Sequence, residues 1–360
     1  MTAARILILS AVIASCGPRP LPAPSVAPPD RVAIVCAERG PSGARLVAVD
    51  EHGDRRHVMI AEPTGVVRDM NPAVSPDGQW IVFASSRERT LAETSLWIAP
   101  VGVEVVPIRL TSGSSIESHP AWTRDGTAIV FASTREGGDF DLWRLAIANG
   151  RASGEPEPLT SGAGHEVTPS VARDGTVIYA EVTRVAEDQI ETHLESRAPD
   201  GTITKLTEGP SDTSPALSPD ERTIAFSRLS IFNGRPNTEL WLLHRADQKI
   251  EKLVELSPTD DGGPVWSRDG AVIFATSVVA GEAGPSHPLF SSVIHIDLAE
   301  TPRHARMLED HAGGIARLTP AIVAPSLDVA SLRRNPEYLP ELARIMATLI
   351  EKAKEQGSPP

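Results

Sequence analysis

One eight-residue segment occurs five times in this 360-residue chain, and its spacing limits the folds open to it. Asn71-Pro72-Ala73-Val74-Ser75-Pro76-Asp77-Gly78 has close copies at His119–Gly126, Thr168–Gly175, Ser214–Glu221 and Gly263–Gly270. The first prolines of successive copies stand 48, 49, 46 and 49 residues apart, a period that belongs to repeat architectures. Each copy is followed by an apolar run (Ile81–Ala84, Ile129–Ala132, Ile224–Ser227, Val272–Ala275), a polar loop and a third run (Ser95–Ile98, Asp141–Arg144, Glu239–Leu242). A last segment such as Ile108–Thr111 or Ile203–Thr207 completes the unit. Short runs rich in β-branched and aromatic residues, punctuated by Asp-Gly turns, predict a four-stranded antiparallel meander. One such sheet has two faces to bury and no layer of its own to cover them, so the units must stack radially as the blades of a propeller.

The ends set the expected blade count. Before the first copy, Val32–Cys36, Ala44–Val49 and His57–Ile60 form three strand-like runs without an anchor; after the fifth, Thr319–Pro325 is a degenerate anchor without following strands. Pairing the C-terminal strand with the N-terminal three completes a sixth unit and removes the exposed sheet edge. The expected fold class is therefore all-β, a six-bladed β-propeller of four-stranded antiparallel blades over residues 31–330. The 32 prolines, 27 glycines and only 4% aromatic residues agree with many short elements and tight turns.

The Pro-Ala-x-Ser-Pro-Asp-Gly anchor and its apolar strand, clearest at Pro72–Phe83, resemble the WD-like repeat of TolB-type propellers. The resemblance covers about residues 31–325 and implies the fold; a propeller hosts many functions, so it implies no particular one. TolB-type proteins carry an α/β domain before the propeller, whereas a signal and a tether are read here, so the resemblance implies no role in the Tol system.

Residues 1–16 read as a secretory signal: Arg5, an apolar run Ile6–Ala14 too short to span a bilayer, then small residues. Ile13-Ala14-Ser15-Cys16 resembles a bacterial lipobox, which makes Cys16 the expected lipidation site, and Gly17 after it favours the outer membrane. An ordinary signal peptide that happens to contain the cysteine is the alternative. Residues 17–30 hold Pro18, Pro20, Pro22, Pro24, Pro28 and Pro29 and predict an extended tether of about 40 Å. Cys36, within an apolar run, predicts a buried thiol. Past the ring, in the tail 331–360, Leu342, Ile345, Met346, Leu349 and Ile350 share one helical face and predict a C-terminal amphipathic helix over 341–356.

The residue three before the anchor proline is Asp69, Glu117, Glu166, Asp212 or Asp261 in the five copies and Arg317 in the degenerate one. In a propeller this position enters the innermost strand, so five carboxylates are expected around one mouth of the central channel, with His119 and His165 beside them. Two readings stand. The carboxylates brace neighbouring blades through hydrogen bonds, or they draw a ligand: a basic peptide segment, or a cation such as Ca²⁺ that the histidines would help hold. The turn aspartates Asp77, Asp125, Asp174, Asp220 and Asp269 belong to turn chemistry. Trp97, Trp143 and Trp241 are expected to pack between blades.

A formal charge of −13 disfavours nucleic acid as a partner. The sequence has no nucleophile elbow, His-Glu-x-x-His helix, phosphate loop or Cys-x-x-Cys pair. Together these features predict a non-enzymatic propeller, lipid-anchored in the cell envelope, that binds a protein or peptide partner at its channel face. The alternative is a metal-dependent hydrolase or lyase acting in the channel.

Overall fold

The computed structural model describes residues 32–307, apart from 41–42, 51–55, 59, 61–65, 91–92, 102–104, 187–188, 210, 233–234, 255–259 and 280–289, and also residues 318–319. All of its regular structure is strand. The N-terminal strands are β1 (Val32–Gly40), β2 (Gly43–Asp50) and β3 (Arg56–Val58). The first repeat forms β4 (Val67–Val74), β5 (Trp80–Ser85), β6 (Ser95–Pro100) and β7 (Ile108–Arg109). The second forms β8 (Glu117–Trp122), β9 (Ala128–Ser133), β10 (Asp141–Ala148), β11 (Arg151–Ala152) and β12 (Glu157–Pro158). The third holds β13 (His165–Val171), β14 (Val177–Ala186), β15 (Gln189–Arg197) and β16 (Ile203–Lys205). In the fourth are β17 (Asp212–Leu217), β18 (Thr223–Phe232), β19 (Arg235–His244) and β20 (Ile250–Lys252). The fifth consists of β21 (Asp260–Trp266), β22 (Val272–Val279), β23 (Phe290–Asp297) and β24 (Ala305–Met307), and β25 (Leu318–Thr319) closes the series.

Each repeat is an antiparallel meander, and its first strand is the innermost. β4 packs on β8, β8 on β13, β13 on β17 and β17 on β21, while β1 meets β4 and β25 meets β23. The expected pairing of the two chain ends is present: β25 runs antiparallel to β1 through Thr319–Ala37 and Leu318–Glu38.

The six separate blades expected from the repeat count are corrected to five hydrogen-bonded sheets. The largest sheet has eight strands because β2 meets β4 in parallel through Gly43–Val67 and Ala44–Arg68, joining β25, β1, β2 and β3 to β4–β7. The signal and Cys16, the tether 17–30, Arg317 and the helix expected over 341–356 lie outside the described residues.

The anchor proline has a structural reason. In all five repeats the innermost strand slips register at the proline, between Met70/Ala73, Ser118/Ala121, Val167/Ser170, Thr213/Ala216 and Gly262/Val265. The residue before the proline takes a left-handed backbone: φ is 50° at Asn71, 49° at His119, 53° at Thr168, 54° at Ser214 and 61° at Gly263. Each is thus a β-bulge that bends the strand at one fixed place. The following turn is closed by its aspartate, which accepts from the backbone two residues on: from Gln79 N at 3.0 Å for Asp77, Thr127 N at 3.0 Å for Asp125 and Thr176 N at 2.9 Å for Asp174. Asp220 and Asp269 repeat this with Arg222 N and Ala271 N. These five residues have the turn role expected of them.

Between sheets the apolar contacts run from one repeat to the next. Phe131 and Trp143 of the second pack with Val82 and Leu96 of the first, and Leu142 of the second with Tyr179 and Leu194 of the third. Trp97 packs with Ala37 and Leu46 of the N-terminal strands. Trp122 Nε1 donates to Ala73 O at 3.0 Å and Trp266 Nε1 to Ala216 O at 2.8 Å, each reaching back one repeat.

Removing Arg317 and everything after it deletes β25 and leaves the inner edge of β1 unpaired. We expect the truncated protein to melt with a loss of roughly several kcal/mol or to aggregate; a soluble truncation with an unchanged melting temperature by calorimetry contradicts closure through β25.

Candidate functional site

The five acidic positions begin the innermost strands, as expected, yet solvent hardly touches them. Asp69, Glu117, Glu166, Asp212 and Asp261 are between 0% and 5% exposed. Their environments differ. Ser85 Oγ donates to Asp69 Oδ1 at 2.6 Å, and Arg87 grips the same carboxylate through Nε at 3.1 Å and Nη2 at 2.6 Å. Arg228 holds Asp212 in a two-point fork, Nε to Oδ1 at 2.6 Å and Nη2 to Oδ2 at 2.8 Å. Its guanidinium also lies 5.2 Å from the Phe226 ring and 5.1 Å from the Trp241 ring. Arg135 bonds Glu117 through Nη2 and Ser133 Oγ through Nε at 3.2 Å, while its guanidinium rests 4.9 Å from the Trp143 ring. A planar cation with a carboxylate along its edge and an aromatic ring on its face is desolvated at little electrostatic cost.

A second device links consecutive repeats. Thr111, at the end of the first repeat, donates its hydroxyl to Glu117 of the second, and Thr160 of the second donates to Glu166 Oε2 of the third at 2.9 Å. Both threonine oxygens also accept a backbone N–H, from Leu96 and Leu142 at 2.8 Å each, and Thr207 accepts from Leu194 N at 3.0 Å in the same way. Burial pushes the Glu117 carboxyl above the ordinary carboxylate range, with the Thr111 hydroxyl and Arg135 pulling the other way.

The two histidines do not converge. His119 is the left-handed bulge residue of β8, and its Nδ1 pairs with Ser118 Oγ at 3.0 Å. His165 Nδ1 accepts from Phe140 N at 3.1 Å. Among the described residues no three His, Cys, Asp or Glu side chains are grouped so as to hold a metal ion. The residues that solvent does meet are the ones just before the acids: Ile116 is 40% exposed, the His165 side chain 41%, and Arg68 and Ser211 are partly exposed. Sequence patterning singled out the acids and missed this alternation, although a period of two along a strand would place neighbours on opposite faces.

The closed series of meanders around inner strands bent at a repeated bulge defines a β-propeller. Residues 60–233 match the family described as the TolB beta propeller domain, so this part of the chain is similar to TolB-type propellers. Solved structures agree in fold. A protein of Agrobacterium tumefaciens bearing the TolB name superposes with a TM-score of 0.54 at 19% identity, over 78% of this chain and 88% of that one. TolB of Acinetobacter baumannii gives 0.56 at 16% identity, over 74% of this chain and 61% of that one. Hydrazine synthase of Kuenenia stuttgartiensis gives 0.59 at 13% identity, over 80% and 46%. No curated protein matches the chain by sequence.

Breaking one partner of a buried charge pair leaves the other charge stranded. Asp212→Asn should therefore cost about 3–5 kcal/mol, and Asp69→Asn a comparable amount. Thermal unfolding checks this, with Arg228→Met added to Asp212→Asn expected to recover part of the loss; a single amide variant as stable as the parent removes the bracing role.

Proposed function

We propose that this protein is a non-enzymatic propeller scaffold that binds a protein or peptide partner on the face where the innermost strands begin. The observation that supports this reading is the division of labour at those strand starts. Asp69, Glu117 and Asp212 are occupied by the protein's own arginines, a serine and a threonine, so they make a rigid base. The neighbouring Ile116, His165, Arg68 and Ser211 offer solvent a mixed apolar and polar rim, with Val66 also 60% exposed on this side of the first repeat. Such a rim, held still by the strands beneath, suits a partner surface of mixed chemistry better than a single ion.

We further propose that the propeller is exported and held at the cell envelope by lipid on Cys16, with residues 17–30 as the tether. The lipobox-like Ile13–Cys16 supports this. The short apolar run before it supports a cleaved signal rather than a membrane span.

A photo-cross-linking residue at Ile116 should capture one partner in the native envelope, while the same residue at Asp125, in a turn at the opposite end of its strand, should not. Ile116→Asp should abolish capture without shifting the melting temperature. Equal capture from both positions, or none from Ile116, defeats the assignment of the face. Cys16→Ser should move the protein from membrane to soluble fractions, and unchanged partition on fractionation argues against the lipid anchor.

A further inference from the structure

The third repeat departs from the others opposite its acid. Asp69, Glu117 and Asp261 stand across from Ser85, Ser133 and Ser277, and Asp212 across from Arg228, but Glu166 stands across from Glu181. In the first and second repeats an arginine, Arg87 or Arg135, follows the serine by two residues and neutralises the acid. Thr183 holds that place in the third repeat and donates to Glu181 Oε1 at 2.8 Å. Glu166 and Glu181 are directly paired across β13 and β14, and the Glu181 carboxyl raises the pKa of Glu166. Glu181 Oε2 is nevertheless buried with no donor among the described residues. One proton shared by the pair supplies the missing donor.

The surroundings favour keeping that proton. Burial, then Glu181, then the more distant Asp141 push the Glu166 carboxyl up to about 9, against the pull of the Thr160 hydroxyl. From β14 and β15, Tyr179 donates to Glu195 Oε2 at 2.8 Å, and His193 Nε2 pairs with Glu195 Oε1 at 3.0 Å, so these groups satisfy one another. On the flanking strands Glu117 is engaged by Arg135 and Asp212 by Arg228. Asp139 lies 3.8 Å from His165 Nε2, beyond a hydrogen bond.

The segment lying over the pair also ties the second repeat to the third. A Cβ on Gly162 would stand 2.9 Å from Glu166 Oε1, and one on Gly164 would come closer still to Glu181 Oε1, so the backbone lies directly against both carboxyls. Gly162 N donates to Asp141 Oδ1 at 3.2 Å, Phe140 N to His165 Nδ1 at 3.1 Å, and Glu166 N to Phe140 O at 2.7 Å. The two bonds of Phe140, to His165 and Glu166 of β13, cross the seam between the two repeats, and the Gly162 bond fixes the connecting segment to β10.

We propose that Glu166 and Glu181 form a proton-held clip across the seam between the second and third repeats, closed while the pair shares a proton and loosened when both carboxyls ionise. The proton passes to solvent, and two adjacent carboxylates under the glycine segment then repel. The direction with pH follows from linkage. An unfolded chain releases this proton near the ordinary carboxyl value of 4.5, whereas the folded chain keeps it up to about 9. The pair's contribution is therefore full below that lower value and is lost as pH rises through the upper one.

Hydrogen exchange of the full-length protein at pH 6 and pH 9.5, corrected for intrinsic exchange, tests this. In the wild type the protection of the amides from Gly162 to Glu166 should fall about tenfold or more between the two values. Glu166→Gln supplies a permanent N–H donor, so its protection should stay constant and its melting temperature at pH 8.5 should exceed the wild type's. Glu181→Gln should behave alike and serves if the first variant folds poorly. A wild-type seam indifferent to pH overturns the clip, as does a fall in melting temperature at pH 8.5 in both glutamine variants.

Discussion

Every four-stranded sheet in this ring has two apolar faces, and neither can be covered from within the repeat. Stability therefore resides in the seams. Tyr179, Phe83, Phe131 and Phe226 are all fully buried, and Phe131 and Tyr179 each pack against the preceding repeat. At about 25 cal/mol per Å² of apolar surface, side chains of this size supply the main driving force. They do not choose an angle between sheets, because the hydrophobic effect has no direction. Direction comes from polar links at fixed places: Trp122 and Trp266 to carbonyls one repeat back, and Thr111 and Thr160 to the next repeat's acid.

That arrangement assigns the buried charges. A carboxylate withdrawn from water is expensive unless a cation and several donors meet it. Arg87, Arg135 and Arg228 come from the second strand of the same sheet, or the residues just after it, so the first, second and fourth repeats each neutralise their own acid from within the sheet. The third repeat lacks the arginine and sets a second carboxyl, Glu181, across from its acid, so in the proposed clip neutrality at that seam depends on a proton.

The turn side of the ring shows the same economy with a different residue. Glu221 stands where the other repeats have glycine after the turn aspartate and accepts a left-handed φ of 63°. Its carboxylate takes the Arg173 backbone N–H at 2.9 Å and lies 3.7 Å from Arg124. Arg124 in turn reaches the carbonyls of Val171 and Leu217 at 3.2 Å each, bridging three repeats. A strained residue in the repeat's most regular position is thus tied to cross-repeat contacts that glycine could not make.

Much of the fold was legible because the information is local and repeated. The Pro-Asp-Gly spacing determined the strand order, the turn aspartates and the pairing of the chain ends, since bulge, turn and strand lengths depend on residues within one unit. The acids were also legible as a set. Their role was not, because no unit contains its own seam: the threonine bonded to Glu117 belongs to the preceding repeat, and the arginines are recognisable as partners only once the second strand folds back in register. The fusion of β2 to β4 depends on how two sheets approach, and that Glu166 meets a second carboxyl depends on the register of β13 against β14. The sequence alone determined which residues recur; tertiary structure decided which of them face solvent, which face each other and which must share a proton, because burial and charge pairing are properties of neighbours distant along the chain.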